Sequence, residues 1–369
     1  MATDVVPHDH ALRSGRRERV LAQMKAHDLD ALIVGRAANV HYVTGAITLW
    51  LAGTSPFAPT CALTRSGDIH LFSQWDDEGI PDDIPHEHLF TLTWNPMNTI
   101  ELLRGIKGVA DARRVGTDAL SPMFGQLLPM AFPAAELVDG EPAMRAARRI
   151  KTIEELTAIR ESVAVAEAGL AAAVGELRPG VTERELSGVL LEAAAAGGVT
   201  TPAVQDAAWI TSRQHRWRRV REQRAAVPGD LVAFSAGVVA GGYIGEVGRT
   251  YPVSGERDEP TNGLYGRCDA LWDRLISACR AGAPASRLFD AYEAAGEPLP
   301  PMAVARGLGL GFDPPVVTRG LPATAAAETL EAGMVFALTA YVWEQDIGAV
   351  FRRDTIVITD GDAEVLSHG

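Results

Sequence analysis

Hydrophobic and polar positions along the first third of the chain predict interleaved helices and strands. Residues 14–27 set Val20, Leu21 and Met24 among charges, the spacing of an amphipathic helix. Ala31, Leu32, Ile33 and Val34 form an apolar run closed by Gly35, which predicts a buried strand. Residues 61–64 and 69–72 are two more such runs, parted by Ser66, Gly67 and Asp68. The uncharged stretch between Arg36 and Arg65 is broken by Gly45, Gly53, Pro56 and Pro59. It reads as buried strands and a loop rather than a membrane span. Strands interleaved with helices predict an α/β layer arrangement.

The pattern changes near Gly140, Glu141 and Pro142. Residues 152–177 have helical periodicity rich in Ala and Glu, stopped by Pro179 and Gly180. Thr182 and Glu185 then spell Thr-x-x-Glu, a capping box for a second helix that should end at Gly197 and Gly198. Beyond residue 203, β-branched and aromatic enrichment predicts strands at 230–235, 242–253, 334–343 and 355–358. Helical segments are expected at 263–281 and 285–295. The second part therefore reads as α+β. The expected division is an N-terminal domain over 1–142 and a second domain over 143–369.

Composition narrows the classes. The chain has 369 residues, enough for two domains, and its 47% hydrophobic and 22% charged content excludes disordered and fibrous classes. A net charge of −13 without extended basic clusters argues against nucleic acid or an anionic membrane as partner. The Arg-rich stretch 213–224 is a local exception. The first twenty residues have no apolar targeting core, and Cys61, Cys268 and Cys279 offer neither a disulfide framework nor zinc spacing. A soluble, cytoplasmic protein is expected.

Two kinds of motif run through nearly the whole chain. The first is Asn39-Val40-His41-Tyr42-Val43-Thr44-Gly45. The second begins at Arg149-Ile150-Lys151-Thr152-Ile153-Glu154-Glu155 and continues through Arg178-Pro179-Gly180-Val181-Thr182-Glu183, Gly229-Asp230-Leu231-Val232 and Gly241-Gly242-Tyr243 with Arg249-Thr250. It closes with Gly307-Leu308-Gly309-Leu310, Gly333-Met334-Val335-Phe336 and Asp354-Thr355-Ile356-Val357-Ile358-Thr359. In this order they resemble the creatinase, prolidase and aminopeptidase P proteins. The resemblance implies an α/β N-terminal domain and an α+β "pita-bread" C-terminal domain with a strongly curved antiparallel sheet, in a homodimer. It also implies that residues 48–57, with Trp50, close the neighbouring subunit's cavity.

Most members of that family hold two metal ions through two Asp, one His and two Glu, a hard donor set that activates a bridging water. The matching positions here are Ser235, Glu246, Arg306, Thr339 and Arg353. One carboxylate remains, and a guanidinium has no lone pair to give a metal. Between His88 and His368 the sole histidine is His215. No metal and no cofactor are therefore expected.

Creatinase, similar in fold, implies metal-free chemistry on a small guanidino compound through a histidine upstream of the Gly-Asp strand. His215 lies in that region. It reads either as a general acid/base, with an unperturbed pKa of roughly 6.5, or as a surface residue of an Arg-rich loop. This chain departs from creatinase at Gly248, where a carboxylate precedes the Arg-Thr pair, and at Thr339, where a Glu stands.

Glu246 is either a second catalytic group or the partner of Arg306 or Arg353. The two arginines suit a carboxylate or other anion, or alternatively they bridge Glu246 or Asp313. Tyr243, Tyr341 and Trp343 are substrate-binding candidates or core, with Tyr341 and Trp343 on one face. Gly307 to Gly311 lacks dinucleotide spacing, and Cys268 and Cys279 share a core-facing helical side. The expected activity is metal-independent, creatinase-like hydrolysis or cleavage of a C–N bond in a small polar, carboxylate-bearing substrate, with His215 as general acid/base. The alternatives are a non-catalytic binding or interaction protein, or a lyase, decarboxylase or rearrangement enzyme of specialised metabolism.

Overall fold

The computed structural model describes residues 6–46, 59–74, 79–91, 95–118, 121–199, 202–204, 207–217, 219–220, 224–253, 255–320 and 328–368. The chain divides into two compact units, Met1–Arg148 and Arg149–Gly369.

The first unit contains the strands β1 (Ala31–Val34), β2 (Cys61–Thr64), β3 (Ile69–Gln74), β4 (Leu89–Thr91), β5 (Arg114–Thr117) and β6 (Glu136–Asp139). They form one mixed sheet in the order β4-β3-β2-β1-β5-β6. Its helices are α1 (Val6–Ala26), α2 (Ala37–Thr44), α3 (Pro96–Gly105), α4 (Pro122–Ala131) and α5 (Glu141–Arg149). Ile33, Val115, Ile100, Leu103 and Leu128 lie in one buried cluster, so α3 and α4 share a core with the central strands.

Two expectations change here. The stretch after Arg36 is helix α2, not strand and loop; it ends at Gly45, whose φ of 72° takes the left-handed cap that a β-carbon disfavours. The division falls at 148/149, not 142/143, because α5 is tied to the first unit. Asn39 Nδ2 donates to Glu141 Oε2 at 2.9 Å, and the Tyr42 hydroxyl donates to the Ala147 carbonyl at 2.9 Å. Residues 48–57 lie outside the described residues, so the expectation for Trp50 does too.

The second unit opens with α6 (Ile153–Gly175) and α7 (Glu183–Ala196). Both start on capping boxes: Thr152 with Glu155, and the expected Thr182 with Glu185. The strands are β7 (Ala208–Ile210), β8 (Leu231–Ala240), β9 (Tyr243–Pro252), β10 (Ala305–Leu308), β11 (Phe312–Val317), β12 (Val335–Glu344), β13 (Gly348–Val357) and β14 (Glu364–Val365). Helices α8 (Glu259–Ala278) and α9 (Arg287–Ala294) complete it. The sheet runs β11-β10-β12-β13-β9-β8-β7, antiparallel at each pair, with β14 beside β13.

Side chains alternate across this sheet, so its two faces separate cleanly. Val247 and Phe234 pack with α6 and α7, and Leu338, Ala340 and Val342 pack with α8 and α9. Gly245 permits the close approach of α6, because a β-carbon there would lie 2.4 Å from the Ser162 carbonyl carbon. These helix contacts fall on one face. Register places Ser235, Glu246, Gly248, Arg353, Thr339 and Arg306 together on the other, here called the inner face.

Candidate functional site

Five positions on five strands meet on the inner face. Ser235 comes from β8, Glu246 from β9, Arg306 from β10, Thr339 from β12 and Arg353 from β13. Arg306 Nη2 lies 2.5 Å and 2.7 Å from the two oxygens of Glu246. Arg353 Nη1 sits 3.4 Å from Glu246 Oε2 and 3.2 Å from Ser235 Oγ, while its Nε donates to Thr339 Oγ1 at 3.0 Å. Burial pulls the Arg353 guanidinium below its ordinary value; the Glu246 charge opposes that and Arg306 adds to it. The backbone of Glu246 is fixed as well: its N–H donates to Thr355 Oγ1 at 3.1 Å, and that hydroxyl donates to the Glu246 carbonyl at 2.8 Å.

These residues do not fit a pair of divalent ions. Two of the five positions carry fixed cations that occupy the carboxylate oxygens a metal would need, and two carry neutral hydroxyls. Among the described residues no group of three or more His, Cys, Asp or Glu side chains is placed to hold a metal. The chemistry of the donor set is that of an ion-pair cluster with two guanidinium groups and one carboxylate.

Next to the cluster the inner face turns aromatic. Tyr341, Phe351, Trp343, Trp209 and Trp217 share one apolar patch. Phe351 stands opposite Tyr341, two residues before Arg353, whose guanidinium lies 5.0 Å from the Phe351 ring centre. Its ring also explains Gly248: a β-carbon there would come within 2.2 Å of Phe351 Cε1, so no carboxylate fits at that position. The Tyr292 hydroxyl donates to the Thr339 carbonyl and accepts from the Tyr341 N–H, each at 3.1 Å, fixing β12 from beneath.

The sequence candidates divide accordingly. Ser235, Glu246, Arg306, Thr339 and Arg353 converge, and Tyr341 and Trp343 share their face. Tyr243 does not: it is buried on the helix side and its hydroxyl donates to Glu155 Oε1 at 3.1 Å, so it is a structural residue and not a substrate contact. Glu246 is corrected from catalytic group to anchor, since both its oxygens are held by guanidinium groups.

His215 is exposed in the turn 212–217, where its N–H donates to Ser212 Oγ at 3.1 Å. Among the described residues its ring makes no hydrogen bond, so the structure does not join it to Glu246. Its neighbours do reach the inner face: the Trp217 and Tyr341 rings meet tilted, with centres 4.8 Å apart, and the Arg216 guanidinium lies 5.1 Å from the Trp343 ring. Phe351 and Trp217 escaped the sequence reading. Alternation along β13 would have found Phe351, on the same face as Arg353. Asp313 pairs with Lys151 at 3.5 Å. Cys268 and Cys279 are buried under the sheet, their thiols pushed up to about 12 by desolvation, so neither is a nucleophile.

Comparison with known proteins agrees with this architecture. Residues 16–150 match the Creatinase/Prolidase N-terminal domain, and residues 157–360 match Metallopeptidase family M24. An uncharacterized hydrolase/peptidase of Sinorhizobium fredii is 25% identical, covering 98% of this chain and 96% of the relative. A Xaa-Pro dipeptidase of Pyrococcus horikoshii is 22% identical over 95% and 96%. Among solved structures, the prolidase from Pyrococcus horikoshii aligns with a TM-score of 0.76 at 21% identity, covering 95% of this chain and 97% of that one. The Xaa-Pro dipeptidase from Bacillus anthracis gives 0.76 at 18%, over 97% and 98%. The fold is thus the two-domain pita-bread architecture. With the family match spanning more than half of the 369 residues, and against the expectation that it stands outside the metallopeptidases, the chain belongs to Metallopeptidase family M24.

Proposed function

We propose that the protein binds a small carboxylate-bearing molecule on the inner face and cleaves a C–N bond in it without a metal pair. The observation that carries this reading is the charge of the cluster. Arg306, Arg353 and Glu246 sum to one uncompensated positive charge, and Arg306 Nε is buried with no hydrogen-bond acceptor among the described residues. A buried donor left without an acceptor costs about 1–3 kcal/mol, which a bound carboxylate relieves. The C–N bond comes from the relatives named prolidase and Xaa-Pro dipeptidase.

In this mechanism Arg306 and Arg353 orient the substrate through its carboxylate, and Glu246 keeps both guanidinium groups in place. Neutral His215 takes a proton from water as the water oxygen bonds to the carbonyl carbon. It then returns that proton to the departing nitrogen as the C–N bond breaks. Arg216 and Trp217, the two residues that follow His215, rest on Trp343 and Tyr341, which supports a role for the turn 212–217 beside the site.

Binding without turnover is the second reading, favoured by the exposure of His215 and the neutralisation of Glu246 by two arginines. The deciding experiment is hydrolysis of glycyl-proline and N-acetylated amino acids by protein dialysed against EDTA. Turnover that survives chelation supports the first reading. Calorimetric binding of the same compounds with no turnover supports the second, and turnover restored only by added manganese or cobalt overturns both.

A further inference from the structure

Trp217 has a backbone φ of 66°, in the left-handed region that a residue with a bulky side chain rarely adopts. A conformation of that kind persists only where its surroundings impose it. Here they do. The indole lies 4.8 Å from the Tyr341 ring at 46°, and the Arg216 guanidinium lies 5.9 Å from the Trp217 ring and 5.1 Å from that of Trp343. Trp343 Nε1 donates to the Ser212 carbonyl at 2.8 Å, which holds the start of the same turn. The far side of the turn is pinned by Gln214 Nε2 on Asp346 Oδ1 at 2.8 Å.

The chain thus places an aromatic ring on the inner face, outside the cores beneath the helices. Tyr341 follows Thr339 by two residues on the same face of β12, a separation of about 7 Å along the strand. Thr339 Oγ1 is the acceptor for Arg353 Nε. An aromatic platform therefore stands one same-face step from the guanidinium pair.

We infer that the ligand of this site is a carboxylic acid bearing a planar aromatic ring, which displaces the Trp217 indole from Tyr341 while its carboxylate engages Arg306 and Arg353. The inference rests on the carboxylate reading of the arginine pair and adds the chemical class of the body attached to that carboxylate. In the free protein the indole occupies the ligand's place, so ligand and Trp217 compete for Tyr341.

The test is calorimetric titration of the full chain with 3-phenylpropanoate, propanoate and 3-phenylpropan-1-ol, in native protein and in Trp217→Gly. Glycine adopts the left-handed backbone freely, and Trp217→Asn, which tolerates it, gives an independent second variant. The native protein should bind 3-phenylpropanoate at least tenfold more tightly than either other compound, and both variants should bind it about tenfold more tightly again. Equal affinity for propanoate and 3-phenylpropanoate overturns the aromatic inference and leaves the carboxylate reading standing. Equal affinity for the alcohol and the acid overturns the carboxylate reading. Unchanged affinity in both variants overturns the competition with Trp217, and no binding of any compound overturns the whole.

Discussion

Arg306 reaches Glu246 through a single nitrogen, Nη2, which lies 2.5 Å from one carboxylate oxygen and 2.7 Å from the other. The Glu246 side chain is fully buried, whereas that of Arg306 keeps 24% of its surface exposed. The carboxylate is thus the fixed member of the pair and the guanidinium the one that faces a ligand. Arg353, 11% exposed, completes the cluster from the adjoining strand.

Removing the carboxylate alone leaves two neighbouring guanidinium groups, Arg353 on the Thr339 and Ser235 hydroxyls and Arg306 over the Phe312 ring. Glu246→Gln should lower the unfolding free energy by about 3 kcal/mol, the range for one partner lost from a buried ion pair. Replacing all three charges at once, Glu246→Leu with Arg306→Met and Arg353→Leu, should recover most of that loss, because no buried charge then remains. Urea unfolding followed by circular dichroism reads both. A single variant as stable as the native protein would show that the carboxylate does not neutralise the arginines.

The proposed proton transfer through His215 separates from binding. His215→Ala should lower kcat by about 10²-fold or more while leaving the affinity for a non-hydrolysable carboxylate unchanged, since the imidazole makes no contact with the arginines. Steady-state kinetics beside calorimetry distinguishes the two effects. Unaltered kcat would remove His215 from the reaction.

How far these elements were legible varies with the kind of signal. The strands β8, β9 and β12 announce themselves through β-branched and aromatic runs, and α7 through Thr182 and Glu185. Strand β13 begins at Gly348, seven residues before the expected 355, because Arg352, Arg353 and Asp354 interrupt its apolar pattern. Those charges belong in a strand because each has a partner: Asp354 Oδ1 lies 2.7 Å from Arg249 Nη2, and Asp354 Oδ2 lies 2.9 Å from Arg352 Nε. Strands β10 and β11 were missed altogether, since Arg306 and Gly307 interrupt the short apolar pattern of one and Pro314 and Pro315 that of the other. The five converging positions came from the family resemblance, whose motifs fix places along the chain without showing the strands that carry them. Tyr243 was misplaced because an aromatic residue at a hairpin start is equally suited to either face.

The residues at the five positions predict the metal response. Native protein incubated with manganese and dialysed should retain none. Substitution of Ser235→Asp, Glu246→Asp, Arg306→His, Thr339→Glu and Arg353→Glu restores the donor types that bind two divalent ions, and that variant should retain about two per chain. Elemental analysis after gel filtration measures both. Tight metal in the native protein would mean that Arg306 and Arg353 do not occupy the places assigned to them.

A pH response is built into the first unit. His70 on β3 lies against His88 with ring centres 3.9 Å apart and planes tilted by 30°, and its Nδ1 is buried without a hydrogen-bond partner among the described residues. Burial, and then the charge of His88, lower the His70 pKa from 6.5 to about 4, with Asp68 opposing. The sign follows from proton counting. Between about pH 6.5 and about pH 4 the unfolded chain binds a proton at this residue and the folded chain does not. Stability is therefore at its full value above about pH 6.5 and declines as acid is added, until the folded imidazole itself protonates. His70→Phe keeps a ring against His88 and removes the titration. Scanning calorimetry at about pH 7 and about pH 4.5 should show a smaller loss of melting temperature in the variant than in the native protein. Equal losses would mean that the imidazole of His70 already accepts its proton freely in the folded state.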